Sequence, residues 1–570
     1  MTDTQIRVLK KQDDSVCIVE LNTSPSLVND YYRKTHFIFC MDVSASMDEP
    51  AVNPQTSNNG VGFITPENTR LNYITRILGA CLNYVQSTED SNNDILVSVV
   101  TFSRRVQTIV RQANGEAMTE ENIKRIIQDV KNQRRESTNF EAAMKHIMSD
   151  VTLTALPHLS TPVNEIVVFM TDGCITQGTN SESELASIMV GNHRQIPDWR
   201  FIGVGTDFDY LLLNSLKLNI DKRHQLTNRP VVTIDFMDNI ENAYIIYADV
   251  ISPYLTNSVY NATLTSLDEF APVYFGNPTS GILDSKQFHL GIIPTGTTRY
   301  VSMRLTDDAQ SAFGYSDSKF HPCHGPATTS KTVTAASFAS VEDNYPDSVL
   351  FDVMKLRQEC IEAVGTCYKI IDDRVECPTS VYEMTRQSGL YIDPNILGTP
   401  RRQAPFNGDQ GLSDTSSSDE EIKTPQATNT PSDNELSRHK ECLLTLQQKV
   451  KDFMMDETLG HLNNTLSDIL KQSIDDISFA VRAIDSVLSS GQTVLARMVI
   501  GARLNSQQYQ RAYTITSPNV LDNPNTFENN NQNWSSSSNV HLLNDNTYSP
   551  FTTQVTRSLS QAISSQSQFY

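Results

Sequence analysis

Apolar runs and helical spacings alternate along the first half of the chain. Nearly continuous apolar runs, typical of buried parallel strands, occur at residues 36–41, 94–102, 165–170, 200–204 and 231–235. Apolar residues recur at three- and four-residue steps, typical of helices that pack on a sheet, in residues 71–85, 120–130, 140–151, 182–190, 210–217 and 237–250. Residues 106–110 are predicted to form an antiparallel edge strand. This alternation predicts an α/β domain over residues 36–250, with a doubly wound, mainly parallel sheet covered by helices on both faces.

The hydrophobic pattern changes in residues 251–345, where the helical spacing stops. Short β-rich runs at residues 258–264, 287–293 and 298–305 are separated by glycine, proline and asparagine. These features predict a small antiparallel β domain. The N-terminal residues 1–35 contain similar runs, IRVL and SVCIVEL, and are predicted to pair with that domain. The α/β domain would then be inserted between strands of the β domain.

The C-terminal part alternates between helical and polar segments. Helical spacing predicts a helical segment within residues 346–400 and a helical region at residues 436–516. Residues 401–435 are rich in Ser, Thr, Asp and Pro with few apolar residues, so we expect an acidic, disordered linker. The Asn- and Ser-rich residues 517–570 are predicted to be a disordered tail. The helices of residues 436–516 either fold back as a bundle or assemble copies of the chain into a homo-oligomer.

The net charge indicates which kinds of partner the protein can bind, and the cysteine pattern indicates its cellular compartment. The formal net charge of −21 repels phosphate backbones and argues against nucleic-acid binding, whereas it favours divalent cations and basic partners. No window of the sequence is long and apolar enough to span a membrane, and we recognise no secretion signal. The nine cysteines are scattered without a C-x-x-C pair, which favours reduced thiols and an intracellular, cytoplasmic protein.

Sequence motifs of common enzyme classes are missing. The sequence contains no phosphate-binding G-x-x-x-x-G-K-[ST], no complete dinucleotide fingerprint, no G-x-S-x-G and no H-E-x-x-H. We therefore expect a non-enzymatic protein.

Oxygen-bearing side chains are concentrated where two predicted strands end. The first strand runs into Asp42-Val-Ser44-Ala-Ser46, and the strand at residues 165–170 runs into Thr-Asp172-Gly. A third segment, Ser-Thr138-Asn, precedes a predicted helix. In an open α/β sheet, loops at the carboxyl ends of the strands form the ligand crevice. Carboxylate and hydroxyl oxygens are hard ligands, which favour Mg²⁺ or Mn²⁺ over zinc.

These three segments, in this order, resemble the von Willebrand factor A domain with its metal-ion-dependent adhesion site. The resemblance covers under half of the chain and implies a Rossmann-like sheet. It also implies that Ser44 and Ser46 bind the metal directly and that Thr138 joins them when a ligand is engaged. Asp42 and Asp172 would act largely through bound water and by their charge. An open coordination position would accept a glutamate or aspartate carboxylate from a partner protein.

Two features depart from the family pattern. Glu136-Ser137 precedes Thr138, whereas family members usually have a glycine directly before the threonine. A long insert at residues 48–68 separates Ser46 from the first helix and is expected to stand beside the metal face. The residues expected to contact the partner are Asp48, Glu49, Glu136 and Asn139.

Several alternatives stay open at this point. The D-x-S-x-S segment could be a simple turn with a helix cap, or a correctly folded site that no longer holds metal. The chain could be an adaptor in a ubiquitin-ligase complex, although the Cys/His spacing of a RING is missing from the sequence. It could also be a structural component of a virion or of the cytoskeleton, or an extracellular adhesion protein.

Overall fold

In the computed structural model the chain forms an α/β domain, a β-sandwich and a helical bundle. The structure describes residues 4–12, 14–23, 33–49, 69–87, 93–133, 135–153, 163–173, 175–191, 196–204, 209–221, 232–237, 240–255, 258–266, 287–294, 297–304, 312–318, 328–334, 338–341, 345–374, 433–456, 464–491, 493–508 and 554–567. The strands are β1 (Thr4–Lys10), β2 (Val16–Thr23), β3 (Arg33–Asp42), β4 (Asn93–Phe102), β5 (Val106–Asn114), β6 (Val163–Thr171), β7 (Asp198–Val204), β8 (Val232–Met237), β9 (Ser258–Ser266), β10 (Gln287–Pro294), β11 (Thr298–Arg304), β12 (Ala312–Ser318), β13 (Thr328–Thr334) and β14 (Ala339–Ser340). The helices are α1 (Arg70–Ser87), α2 (Glu120–Lys131), α3 (Phe140–His146), α4 (Glu182–Val190), α5 (Tyr210–Asp221), α6 (Ile240–Leu255), α7 (Tyr345–Asp372), α8 (Asp433–Met455), α9 (Asn464–Ser490), α10 (Thr493–Gln508) and α11 (Gln554–Ser567).

A six-stranded sheet forms the centre of the α/β domain, in the order β5-β4-β3-β6-β7-β8. All neighbouring strands are parallel except β4 and β5, which are antiparallel. The register places Asp42 opposite Phe102 of β4, and Met41 opposite Met170 of β6. The carboxyl ends of these three strands therefore lie side by side. This arrangement confirms the predicted α/β class with its doubly wound, mainly parallel sheet.

An aromatic cluster lies in the core next to these strand ends. The Phe169 ring of β6 has its centroid 4.8 Å from that of Phe102 in β4 and 5.1 Å from that of Phe140 in α3. All three side chains are fully buried. Strands β6 and β7 are buried at every position, as expected for strands between two helical layers. The cluster packs β4, β6 and α3 together, and these elements carry or adjoin the loops with the predicted metal ligands.

Two four-stranded sheets form the β-sandwich, in the orders β11-β2-β1-β14 and β10-β9-β12-β13. One apolar core lies between them, made of Val8, Cys17, Val19, Leu21, Val259, Ala262, Leu264, Ile293, Val301, Met303, Phe313 and Tyr315. Strand β2 pairs antiparallel with β11, from Val16 opposite Arg304 to Asn22 opposite Thr298. Strand β1 pairs in parallel with the short β14. The N-terminal strands thus share a sheet with strands that follow the α/β domain in sequence.

Helices α7, α8, α9 and α10 pack against one another. Helix α7 also contacts strand β2, and α10 contacts both β8 and α5. Gly501 of α10 permits this close packing, because a Cβ there would lie 2.8 Å from Cε1 of Tyr210 and 3.0 Å from Cε2 of Tyr368. The helices of the 436–516 region therefore fold back on their own chain, and homo-oligomerisation through them stays a prediction. No helix among the described residues is both long enough and apolar enough to cross a membrane.

The C-terminal segment differs from its prediction as a disordered tail. Helix α11 packs on α6 and α1. Among the described side chains of its buried face, the large apolar residues are Leu559 and Ile563. Small hydroxyl side chains complete that face, at Thr556, Ser560 and Ser564. So few apolar residues in a Ser- and Gln-rich segment give a weak helical signal, which explains why composition pointed to disorder.

Other predictions for the C-terminal part fall mostly on residues outside those that the structure describes. These include residues 375–432, which cover nearly all of the predicted linker, and residues 517–553 of the predicted tail. Helix α8 begins at Asp433, inside the range predicted as linker. The acidic residues in its first turn, Asp433 and Glu435, suit the helix N-terminus and also contribute to the polar composition that suggested a linker.

Candidate metal centre

Three segments meet at the carboxyl edge of the sheet. Asp42 is the last residue of β3, and Val43 N donates a hydrogen bond of 2.8 Å to Phe102 O at the end of β4. A short 3-10 turn, Ala45–Asp48, follows and contains Ser46. Ala45 N donates to Glu136 O at 3.1 Å. The turn is therefore fixed both to the neighbouring strand and to the segment that precedes α3.

Hydroxyl and carboxylate oxygens converge in the space between these segments. Ser44 Oγ and Ser46 Oγ lie 3.0 Å apart, and Ser46 Oγ donates to Asp172 Oδ1 at 2.8 Å. Asp42 Oδ1 accepts from Ser44 N at 2.8 Å, and its Oδ2 accepts from Thr171 Oγ1 at 2.7 Å. The structure thus brings four of the predicted ligands, Asp42, Ser44, Ser46 and Asp172, into one hydrogen-bonded cluster.

Thr138 reaches the same cluster from the segment before α3. A Cβ built on Gly173 would lie 3.5 Å from Ser46 Oγ and 3.9 Å from Thr138 Oγ1, so both hydroxyls border the space beside Gly173. Thr138 N donates to Thr176 Oγ1 at 2.8 Å. Thr138 O accepts from the backbone N–H groups of Thr176 and Gln177, at 3.1 Å each. The loop that follows β6 therefore holds Thr138 in position.

Ser137 occupies the position at which the family usually has a glycine. Its hydroxyl donates to Gln177 Oε1 at 2.7 Å, which adds a further link to the loop after β6. Among the described non-glycine residues, Gln112 alone has a positive φ, so Ser137 does not need the conformational freedom of glycine. The departure from the family pattern is accommodated without backbone strain.

Burial governs the ionisation of the Asp42 carboxylate. Asp42 and Asp172 are both 0% exposed. Burial, followed by the negative charge of Asp172, raises the pKa of Asp42 to about 7, although hydrogen bonds from Ser44 and Thr171 oppose the shift. Two buried carboxylates are costly unless positive charge compensates them. The raised pKa of Asp42 indicates that this compensation is incomplete.

Arg70 supplies part of the compensating charge. It is the first residue of α1 and is 7% exposed, and its Nη1 donates to Asp172 Oδ2 at 2.9 Å. Sequence reasoning missed Arg70, because the two residues lie 102 positions apart and no motif links them. It also missed the role of Thr171, although this residue stands directly before Asp172 and its motif could have directed attention to it.

The donor set of the cluster suits a hard divalent cation. The three hydroxyls and two carboxylates are oxygen donors of the kind that Mg²⁺ and Mn²⁺ prefer. No group of three His, Cys, Asp or Glu side chains among the described residues could hold a metal ion. A cation site here therefore depends on the hydroxyl oxygens as well as on Asp42 and Asp172.

Three residues predicted to contact a partner line the rim of the cluster. Asp48 is exposed, and its Oδ1 lies 3.0 Å from Arg135 Nε. Glu49 is also exposed, and its Oε2 lies 3.4 Å from Arg70 Nη2. Glu136 is partly buried, and its carbonyl oxygen holds the 3-10 turn through Ala45 N. Asp48 and Glu49 are thus accessible to a partner.

Asn139, the fourth residue predicted to contact a partner, caps a helix, and its contact with a partner stays a prediction. It is 9% exposed, and its side chain caps α3 by accepting from Ala142 N at 2.9 Å. Gly178, with φ +86°, approaches this cap so closely that a Cβ there would lie 2.7 Å from Asn139 Oδ1. Asn139 is therefore engaged in starting the helix next to Thr138, since helix N-caps satisfy otherwise unpaired backbone donors.

Strand order and the oxygen cluster together define a doubly wound α/β domain with a ligand crevice at its carboxyl edge. Residues 37–174 match the family model of the von Willebrand factor type A domain. This part of the chain is a von Willebrand factor type A domain, a protein-interaction fold that often has a metal-ion-dependent adhesion site. No curated protein matches the sequence.

Several solved structures resemble the chain at low identity. A von Willebrand factor type A protein from Catenulispora acidiphila has 9% identity, with 65% of this chain and 79% of that chain covered at a TM-score of 0.40. Proximal thread matrix protein 1 from the mussel byssus, with a zinc-occupied MIDAS motif, has 18% identity, covering 37% of this chain and 45% of its own at a TM-score of 0.26. The manganese-loaded TRAP protein of Plasmodium vivax has 11% identity, with 53% and 93% covered and a TM-score of 0.25.

Proposed function

We propose that the von Willebrand factor type A domain holds Mg²⁺ or Mn²⁺ at the carboxyl edge of its sheet and uses it to bind an acidic side chain of a partner protein. Ser44, Ser46 and Thr138 would hold the ion through their hydroxyls. Asp42 and Asp172 would supply charge and orient these hydroxyls. When bound, the ion would present an electrophilic position to a glutamate or aspartate carboxylate.

The hydrogen bond from Ser46 Oγ to Asp172 Oδ1 is the observation that carries this proposal. It joins the loops after β3 and β6 at the place where Ser44 Oγ also lies. A simple turn with a helix cap would not need a buried carboxylate from a distant strand. The incomplete charge compensation around Asp42 supports a further cation at the same place.

We also propose that the protein is non-enzymatic and works in the reducing interior of a cell. The described cysteines are all free thiols, which suits a reducing compartment. Burial raises the pKa of Cys17 to about 12, so this thiol is protonated and inert at neutral pH. The buried described cysteines are Cys17, Cys40, Cys81, Cys360 and Cys367.

Cation binding is tested first with Mn²⁺ alone. The full chain is titrated with MnCl₂, and free Mn²⁺ is measured by electron paramagnetic resonance. We expect one site whose Mn²⁺ affinity falls at least about tenfold in Asp42→Ala, because one of two negative charges at the ion is lost. Asp94→Ala is the matched control, since Asp94 lies at the amino end of β4 in a partly buried ion pair with Lys34. Equal Mn²⁺ affinity in all three proteins would contradict the site.

Partner binding is tested by capture in MgCl₂ followed by elution with EDTA. Proteins eluted from the wild-type chain, but not from Asp42→Ala, are identified by mass spectrometry. Each candidate is then purified, and its acidic residues are replaced to find the carboxylate that reaches the ion. Capture of the purified partner that survives both EDTA and Asp42→Ala would overturn the proposed mechanism.

A further inference from the structure

Arg70 places a guanidinium directly on a carboxylate of the proposed metal centre. Its Nη1 lies 2.9 Å from Asp172 Oδ2, while Ser46 Oγ donates to the other oxygen of the same carboxylate. The Arg70 side chain is 8% exposed and the Asp172 side chain is 0% exposed. A buried, charge-assisted pair of this kind is strong, because little water screens it. Asp172 therefore already has a cationic partner that belongs to the protein.

The Arg70 guanidinium also has a second carboxylate within reach. Its Nη2 lies 3.4 Å from Glu49 Oε2, and the Glu49 side chain is 57% exposed. Arg70 N donates to Glu49 O at 3.0 Å, so the start of α1 and the end of the 3-10 turn are held together by their backbones. The guanidinium therefore lies between two carboxylates, one buried and one exposed, on a backbone that is fixed on both sides.

We propose that Arg70 is a resident counter-cation of the metal centre, which occupies Asp172 before a divalent ion binds and shifts towards Glu49 when one does. This inference rests on the proposed function, since it assigns a regulator to the same site. Two cations close to one carboxylate repel each other, so Arg70 lowers the affinity of the site for divalent ions. Glu49 opposes this effect by accepting the displaced guanidinium.

The proposal predicts effects of opposite sign for two residues that touch each other. Arg70→Gln removes the competing charge and should raise Mn²⁺ affinity about tenfold or more. Glu49→Gln removes the alternative partner of Arg70 and should lower Mn²⁺ affinity about threefold. A purely structural role for the pair would weaken Mn²⁺ binding in both variants, because both would loosen the same turn.

The neighbouring ion pair supplies matched controls. Asp48 belongs to the same 3-10 turn as Met47 and pairs with Arg135, with 3.0 Å between Arg135 Nε and Asp48 Oδ1. The Arg135 guanidinium donates to Asp48 and to Lys131 O, and so is engaged with groups other than Asp172. Asp48→Asn and Arg135→Gln change the local charge by the same amounts as the test variants, and we expect both to stay within about twofold of the wild-type affinity for Mn²⁺.

The experiment measures Mn²⁺ affinity by isothermal titration calorimetry, together with the melting temperature in EDTA and in saturating MnCl₂. Arg70→Gln should melt at a lower temperature than wild type in EDTA, because Asp172 loses its partner. Its melting temperature should rise more than that of wild type when MnCl₂ is added. A larger rise in melting temperature on Mn²⁺ addition also shows that the variant is folded, although less stable. Loss of stability is therefore distinguished from loss of the metal site.

Two outcomes separate the failure of this inference from the failure of the proposed function. If wild type binds Mn²⁺ and Arg70→Gln binds it equally or more weakly, the inference is wrong and the metal site stands. If neither protein binds Mn²⁺, the proposed function is wrong and the inference falls with it. Tighter Mn²⁺ binding in Arg70→Gln together with weaker Mn²⁺ binding in Glu49→Gln supports both the inference on Arg70 and the proposed function.

Discussion

Thr171 Oγ1 donates a hydrogen bond of 2.7 Å to Asp42 Oδ2, and this contact joins the carboxyl ends of β6 and β3. Both side chains are buried. Ser44 N donates a hydrogen bond to the other carboxylate oxygen of Asp42, Oδ1. The Asp42 carboxylate is therefore held in one orientation by the protein itself. Such orientation by hydrogen bonds of the protein is what a pre-organised metal site requires.

Asp42 should make the stability of the cation-free protein depend on pH. Its pKa is raised to about 7 in the folded state, above its ordinary value of 3.8. The resulting stabilisation is fully present below about pH 3.8 and is lost as the pH rises through about 7. In EDTA, we expect the free energy of unfolding to be lower at pH 8 than at pH 5 through this group. Urea titrations at the two pH values measure the difference.

Asp42→Asn isolates this contribution from those of other titrating groups. Asparagine keeps the shape of the side chain but does not ionise, so the fall in stability between pH 5 and pH 8 should be smaller in the variant than in wild type. Saturating MnCl₂ should reduce the fall in wild type, because the ion compensates the ionised carboxylate. Identical pH dependence of the free energy of unfolding in both proteins would refute the assignment.

Gly173 should be required for cation binding because of the space beside it. A Cβ at this position would make ordinary contact with Ser46 Oγ and Thr138 Oγ1, at 3.5 and 3.9 Å. The two further methyl groups of Gly173→Val would extend into the space that both hydroxyls border. We expect Mn²⁺ affinity, measured by calorimetry, to fall about tenfold or more. Gly173→Ala, which adds only the Cβ, is the control and should bind nearly as wild type does. Normal binding by the valine variant would show that the ion lies elsewhere.

Sequence pattern predicted the parts of this site that are local in the chain. Asp42, Ser44 and Ser46 follow one apolar run, and Asp172 follows another, so a parallel sheet brings them to the same edge. Arg70 escaped prediction because its partner is set by the packing of α1, not by spacing in the sequence. Asn139 stays a predicted partner contact, and the structure adds that its side chain caps α3. The alternation of strand and helix patterns likewise predicted the central sheet. Helix α11 was not predicted, because its segment has few apolar residues.

A buried polar network crosses the sheet at its other end. His36 Nδ1 lies 3.0 Å from Glu165 Oε1, and His36 Nε2 lies 2.8 Å from Ser98 Oγ. Glu165 Oε1 also accepts from Leu153 N at 2.6 Å. These side chains lie on β3, β4 and β6. His36 stands six positions before Asp42, which places it about 20 Å from the candidate metal centre along an extended strand. We therefore expect the network to stabilise the fold without contributing to the site.

Glu165→Ala should destabilise the protein without changing cation binding. The substitution leaves His36 Nδ1 and Leu153 N without their buried acceptor, which costs about 3 kcal/mol. The free energy of unfolding from urea titration measures this loss, and Mn²⁺ affinity should remain at the wild-type value. Glu120→Ala, at an exposed position paired with Lys124, is the control and should change stability little. Weaker Mn²⁺ binding in folded Glu165→Ala would show that the network also supports the metal centre.

The C-terminal helix α11 should detach when its apolar contact is removed. Ile563 is fully buried against the α/β domain, and Ser252 Oγ and Thr556 Oγ1 form a hydrogen bond of 3.0 Å at the same interface. Ile563→Asp places a charge in this apolar contact, which is costly enough to favour local opening over a buried aspartate. Amide hydrogen exchange read by mass spectrometry should then rise about tenfold or more in residues 554–567, while strands β6 and β7 stay protected. Gln561→Asp, on the exposed face of α11, is the control and should leave exchange unchanged. If the helix stays protected in Ile563→Asp, the hydroxyl contacts suffice to hold it. If β6 and β7 lose protection as well, α11 is an integral part of the domain core and not a separately docked element.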